Sequence, residues 1–447
     1  MEKGTEKRGQ WASNFGFIMA AAGSAIGLGN LWKFPYLAGQ NGGGAFVVVY
    51  LLMVLFVGFT IMLGEMTIGR KTGLNAIGAY RMLSKKFTWV GVAGVLSGFL
   101  ILGFYSVVGG WVIKYIVQFI MGGVSGDSAA FFGGFISSAV EPLVYALLFA
   151  GVTALIVWRG ISGGIEKASK IMMPALFVLL IIVMIRSVTL PGAGAGLEYY
   201  LKPDFSKLTP GAIVAALGQV FFSLSLGMGC MITYGSYLSK DENLEKDALI
   251  VPFMDTAAAL LAGFAILPAV FAFGFEPGAG PGLMFITLPQ VFASMPAGAI
   301  FGVLFFILVL FAAITSSISL LETCVSYFID EHKWSRTKAT WILSGIIFVL
   351  TILSSLSMGP MAGFKIGGLV FFDLLDYITA NILLPLGGLV MLIFIGYFWG
   401  VDKAAEEIEQ GGKFQFKLKG FWNVMVKVVG PIAVGIVFLN MLGIIKF

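Results

Sequence analysis

The sequence predicts an all-α integral membrane protein of eleven spans, and three observations predict it. Apolar residues make up 58% of the 447-residue chain and charged residues 11%, against roughly 25% charged in a soluble domain. The apolar residues lie in continuous runs long enough for helices to cross hydrocarbon, whereas a membrane barrel would show short alternating segments. Two runs are broken near their centres, at Gly23-Ser-Ala-Ile-Gly-Leu-Gly29-Asn30 and at Gly218-Gln-Val-Phe-Phe-Ser-Leu-Ser-Leu-Gly-Met-Gly229. A helix that loses its ladder in lipid leaves N–H and C=O groups without water, so a break persists only where protein buries it or a cavity adjoins it.

In chain order the spans fall at about 12–38, 43–69, 89–124, 140–158, 167–188, 211–238, 248–275, 299–330, 338–356, 366–398 and 421–445. The first run exceeds a signal-peptide core and lacks a small-residue cleavage site, so it is expected to stay on the mature chain. Basic residues mark every second loop, from Lys3, Lys7 and Arg8 to Arg70, Arg159, Lys240, Arg336 and Lys413, while the alternate loops hold only Lys202, Lys207 and Lys365. That bias places the amino terminus in the cytoplasm and Phe447 outside a plasma or inner membrane. It also accounts for the net charge of +5 without a nucleic-acid partner. The outer loops at about 189–209 and 276–298 are rich in Gly and Pro and read as lids or connectors. The inner stretch Val401–Gly420 alternates Glu and Lys and reads as a solvated amphipathic connector. Cys230 and Cys324 fall inside apolar runs and His332 is the sole histidine. Disulfide staples, histidine metal clusters and histidine catalysis are therefore not expected, and the spans show no nucleophile and base pair of an enzyme.

Gly23, Gly27 and Gly29 let the first break unwind and turn carbonyls toward a guest, and Asn30 adds a neutral oxygen. For one such span alone, close helix packing through small residues is an equal reading. The second break, with Gly227-Met-Gly229, lies five spans later and so enters the membrane from the opposite side. Paired broken helices in two inverted halves point to a secondary transporter with its site at the midplane. Each break offers a helix amino terminus to an anion and free carbonyls to a cation, which suits a zwitterion with sodium. The halves run over 8–188 and 208–398, with the last span at 421–445, in one transmembrane domain over 1–447.

Trp11-Ala-Ser, Gly23 to Tyr36, Asn41-Gly-Gly-Gly-Ala-Phe46, Gly64-Glu-Met-Thr-Ile-Gly-Arg70, Gly218-Gln219 with Phe222 to Gly227, and Thr315-Ser-Ser317 stand in order along the chain. Together they resemble the neurotransmitter:sodium symporter family, in its bacterial eleven-span form with the LeuT fold. The resemblance implies sodium-coupled import of a neutral hydrophobic amino acid, aliphatic or aromatic, by alternating access. It implies one sodium site from the Ala25 carbonyl, Asn30, Ser223, Asp255 and the solute's carboxylate. A second would take the Gly23, Ile26 and Ala312 carbonyls with the Thr315 and Ser316 hydroxyls. Oxygen ligands suit a hard cation, although two hydroxyls back-bonded to their own helix are the plain alternative for Thr315 and Ser316.

The solute's charged end is expected at Ser24, Ala25, Gly27, Leu28 and Gly29 with the Tyr105 hydroxyl, beside Ser223 and Ser316. Ile101, Phe222, Ser225, Met228, Ser319 and Leu320 are expected around its side chain. Gly27 stands where monoamine carriers of the family have Asp, which favours a solute with its own carboxylate. Asp255 departs from the usual Asn, and Ala259 stands where chloride-dependent relatives carry a hydroxyl. Asp255 is thus expected to ligate sodium and to substitute for chloride, even though Tyr50, Gln219 and Ser223 match the remaining chloride-site groups. The resemblance also implies an outer gate of Tyr105, Phe222 and Lys33 facing Asp376, with Asp373 a competitor. Lys in place of Arg lacks the planar fork, so a weaker or water-mediated gate is expected. The inner gate would be Arg8 with Asp330, supported by Trp11, Ser236 and Tyr237. Glu65 is expected to accept from the backbone of the sixth span, and Glu322 has no assignable role. A proton-coupled carrier using Asp255 or Glu322, and an ion channel, are the rival readings; paired breaks argue against a continuous pore.

Overall fold

The structure is a computed structural model that describes residues 9–276 and 280–446. Nine helices in the described residues are long and apolar enough to cross a membrane: Gly44–Thr72, Lys85–Ile120, Glu141–Trp158, Ile161–Val188, Leu244–Ala272, Gly298–His332, Arg336–Ser357, Phe371–Trp399 and Lys419–Met441. The first expected span is a bent pair, Asn14–Ala25 and Gly29–Gln40, at 52° to one another. The sixth is likewise divided, into Pro210–Ser223 and Cys230–Gly235. Eleven segments therefore occupy the eleven predicted positions, two of them interrupted where the sequence is rich in Gly and Ser.

The first break follows from Ile26, whose extended backbone (φ −73°, ψ 100°) ends the opening helix after Ala25. Ser13 caps the start of that helix by accepting from Gly16 N at 3.1 Å. In the second break Ser225, Gly227 and Gly229 all have positive φ, at 53°, 80° and 76°. Gly227 is required twice over: a Cβ there would lie 2.3 Å from the Leu384 carbonyl oxygen, and its φ is one that L side chains rarely adopt. Glu65, buried in the second span, accepts from Gly227 N at 2.7 Å. A backbone donor freed by the break is satisfied from a neighbouring helix, as lipid requires.

Three connections depart from expectation. The outer loops carry helices at Ala193–Leu201 and Leu283–Ser294. The latter is drawn in because Phe285 stacks on Phe132 (5.3 Å between ring centroids) and offers its carbonyl to Tyr115 Oη at 2.6 Å. The inner connector is not a solvated strap. Its helix Val401–Glu409 buries Ala404, Ala405, Glu407 and Ile408 against the second span at the end that carries Arg70.

Candidate functional site

The breaks meet around Asp255, a fully buried carboxylate in the seventh span. Asn30 Nδ2 donates to Asp255 Oδ1 at 2.8 Å and to Ser223 Oγ at 3.0 Å. Ser223 Oγ donates to the same carboxylate, 3.0 Å from Oδ1 and 2.8 Å from Oδ2, and Tyr50 Oη lies 3.3 Å from Oδ2. A charge in hydrocarbon is costly unless it is hydrogen-bonded or functional, and here three neutral donors from three helices answer it. Of the side chains expected at the first cation site, Asn30, Ser223 and Asp255 are in direct contact. Gln219 sits apart from the carboxylate, donating to the Gly29 carbonyl at 2.8 Å.

Around the second expected cation site, Ser316 Oγ is within reach of Gly23 O (3.4 Å), Ser24 O (3.2 Å) and Ala312 O (3.2 Å). The eighth span is thereby joined to the unwound first. Thr315 takes the plainer course and back-bonds to Phe311 O at 2.9 Å and Ala312 O at 3.1 Å. Its side chain still faces the break, since a Cβ on Gly23 would fall 2.9 Å from that of Thr315. Ile26, the other carbonyl expected there, is buried.

A cavity of about 30 Å³ lies between the breaks, lined by twelve of the fourteen residues expected to hold solute, from Ser24 through Leu320. Ser223 and Ser319 are the two that stand behind it. Ser319 Oγ accepts from Ser24 Oγ at 2.6 Å, and Ser225 Oγ donates to Ser24 O at 2.7 Å, so hydroxyls from three helices fix the unwound backbone. The buried Tyr105 hydroxyl lines the cavity and has no hydrogen-bond partner among the described residues. Above it a vestibule of about 380 Å³ is lined by Lys33, Phe222, Asp373 and Asp376 among others. Lys33 shares this vestibule with Asp376: its Nζ lies over the Phe222 ring, 4.6 Å from the centroid, and no direct ion pair to Asp376 or Asp373 forms among the described residues.

Of the residues expected at the inner gate, Trp11 Nε1 donates to Tyr234 O at 3.0 Å, and its ring meets Tyr234 and Tyr237 edge to face at 5.1 and 6.3 Å. Asp330 Oδ2 accepts from Asn75 N at 2.9 Å and Asn75 Nδ2 at 3.1 Å. Its expected partner Arg8 lies outside the described residues. Glu322, for which the sequence offered no role, is gripped by Arg336 at 2.6 and 3.0 Å and accepts from Tyr237 Oη at 2.7 Å. Sequence reading also missed Glu166, which accepts from Ala12 N (2.7 Å) and Ser13 Oγ (2.9 Å) and so holds the start of the first span. The sequence offered only the four-residue spacing of Glu166 and Lys170, which pair at 2.5 Å, and nothing that pointed to Ala12 or Ser13.

Two discontinuous helices that meet at an enclosed cavity among apolar spans define a secondary transporter of the LeuT fold. The chain matches the family model described as the sodium:neurotransmitter symporter family over residues 8–125 and 137–447. It is 42% identical to the sodium-dependent transporter YhdH of Bacillus subtilis, covering 99% of each chain. A sodium-dependent transporter of Haemophilus influenzae is 40% identical over 98% of this chain and 99% of its own. Among solved structures, MhsT in complex with L-phenylalanine superimposes with a TM-score of 0.90 at 45% identity, covering 97% of this chain and 100% of that one. The chain belongs to the sodium:neurotransmitter symporter family. It is a sodium-dependent, multi-pass membrane transporter and not an enzyme.

Proposed function

We propose that this transporter imports a neutral, hydrophobic amino acid together with sodium by alternating access, without chloride. One observation carries the reading: the two unwound segments and the Asp255 carboxylate converge beside a cavity whose remaining walls pair the Tyr105 and Ser316 hydroxyls with apolar Ile101 and Leu320. Asn30, Ser223, Asp255 and the Ala25 carbonyl hold one sodium together with the solute's carboxylate. The Gly23, Ile26 and Ala312 carbonyls, with Thr315 and Ser316, hold another. The donor set is all oxygen, as a hard cation demands.

The cavity supports an amino acid as cargo. Leu28, Gly29 and the unpartnered Tyr105 hydroxyl are donors for a carboxylate, while Ile101, Phe222, Met228 and Leu320 suit an aliphatic or aromatic side chain. Met228 is adaptable in shape, and the ligand of MhsT is of this class. Chloride independence is supported by Tyr50 and Ser223, which turn their hydroxyls to Asp255 and so spend on a carboxylate the donors an anion would need. Alternating access follows if 8–188 and 208–398 act as inverted halves, with Phe222 and Lys33 closing outside and Trp11, Tyr237 and Asp330 closing inside. The amino terminus is then cytoplasmic and Phe447 external.

A thermal-shift panel of the twenty amino acids in sodium and in potassium tests the reading, because a ligand stabilises the state it binds by mass action. Stabilisation by hydrophobic amino acids in sodium alone is expected; equal stabilisation in potassium, or by basic or acidic amino acids only, contradicts it.

A further inference from the structure

We infer that the Asn30 carboxamide couples the two cargoes: it turns end for end when sodium enters beside Asp255, and the turn uncovers the Gly27 N–H for the solute's carboxylate. The inference rests on the sodium and amino-acid reading above and concerns how the site performs it.

Asn30 is fully buried and uses both ends of its amide. Oδ1 accepts from Gly27 N at 3.1 Å. Nδ2 faces three acceptors, Asp255 Oδ1 at 2.8 Å, Ser223 Oγ at 3.0 Å and the Asp255 carbonyl at 3.1 Å. The polarity is dictated by chemistry, since an ionised carboxylate only accepts and must be met by the NH₂ end. That end carries protons and no lone pair to give a metal. A cation drawn to Asp255 and Ser223 therefore meets the positive end of the Asn30 dipole, and Asn30 becomes a ligand only after presenting Oδ1.

The turn is accessible because the terminal amide torsion is broad and roughly two-fold and the two ends are almost the same size. Its consequence falls on Gly27. With Nδ2 now toward it, donor faces donor, and the peptide N–H loses its acceptor in a water-poor site, where an unmade hydrogen bond is costly. A solute carboxylate can supply that acceptor, since Gly27 lines the cavity: a Cβ there would lie 2.6 Å from Ser316 Oγ and 3.2 Å from the Tyr105 hydroxyl. The backbone bond from Asn30 N to Gly27 O, 3.2 Å, does not involve the amide and keeps the restarting helix in shape throughout. Sodium thus prepares the anion site before the amino acid arrives, and by linkage the amino acid raises sodium affinity by the same factor.

The test is infrared difference spectroscopy on the full-length protein in nanodiscs, with asparagine ¹³C-labelled at the side-chain carbonyl and potassium exchanged for sodium. Sodium alone, without amino acid, is expected to move one labelled band to lower frequency. That band is absent from Asn30→Ser; should that variant fail to fold, Asn30→Gln, which is unlabelled at this position but keeps an amide, makes the assignment. Sodium-dependent thermal stabilisation of the parent with no movement of the Asn30 band overturns the inference, as does movement only after amino acid is added. If sodium produces no stabilisation and no band shift, the sodium-coupled reading is overturned and this inference with it.

Discussion

Tyr237 donates its hydroxyl to Glu322 at 2.7 Å, and Glu322 is itself held by both terminal nitrogens of Arg336. The carboxylate is fully buried and the Arg336 side chain 19% exposed, so the pair anchors a tyrosine of the sixth span to the eighth and ninth. Removing one partner of a buried pair leaves the other charge uncompensated, at about 3–5 kcal/mol. Glu322→Ala is therefore expected to lower thermal stability strongly. Tyr237→Phe, which removes the hydroxyl but strands no charge, costs less, about 1–3 kcal/mol. Thermal unfolding of the two variants in detergent checks the ranking; equal stability would refute the anchor.

The inner connector makes a second graded prediction. Arg70, whose side chain is 0% exposed, meets Glu407 at 3.1 Å, and Lys240, 56% exposed, meets the same carboxylate at 2.8 Å. Glu407→Ala should destabilise by about 3–5 kcal/mol through the stranded Arg70. Lys240→Ala should cost about 0–1 kcal/mol, as exposed pairs do. Chemical denaturation measures both.

Lys33 over Phe222 predicts a gate set by ring chemistry. A cation over an aromatic face contributes about 0.5–2 kcal/mol, so Phe222→Leu and Lys33→Met should each weaken amino-acid retention by about 2–30-fold on that scale. The double variant should do little worse than either single one. Additive losses in ligand dissociation rate would show that the two side chains act separately.

What the sequence revealed, and what it concealed, follows from range. The breaks at Gly23 to Asn30 and Leu224 to Gly229 are local: Gly and Ser inside an apolar run announce themselves, and Asp255 stands out because hydrocarbon tolerates few carboxylates. Lys33 was legible as a vestibule residue facing Asp376, but its seat over the Phe222 face was not, because that contact is decided by packing. The ties of Glu166 to Ala12 and of Glu407 to Arg70 join residues 154 and 337 positions apart. Periodicity carries no trace of such pairs, and an alternating Glu and Lys stretch looks solvated until something covers one face. The Leu283–Ser294 helix hid for a similar reason, since it is held by aromatic stacking and not by membrane length.

Asp255 predicts the anion requirement. With hydroxyls of Tyr50 and Ser223 already engaged by the carboxylate, replacing chloride by gluconate should leave sodium-driven uptake within about twofold, a difference of about 0.4 kcal/mol. Asp255→Asn removes the charge and should abolish uptake in gluconate, with partial recovery in chloride. A chloride requirement in the parent would remove Asp255 from this role.

The most direct measurement of the central claim is uptake of labelled L-phenylalanine into proteoliposomes under an imposed sodium gradient, compared with potassium and with a proton gradient in sodium-free buffer. Accumulation above equilibrium only with inward sodium is the expected result. Accumulation driven by protons without sodium, or no movement of any hydrophobic amino acid in sodium, would contradict it.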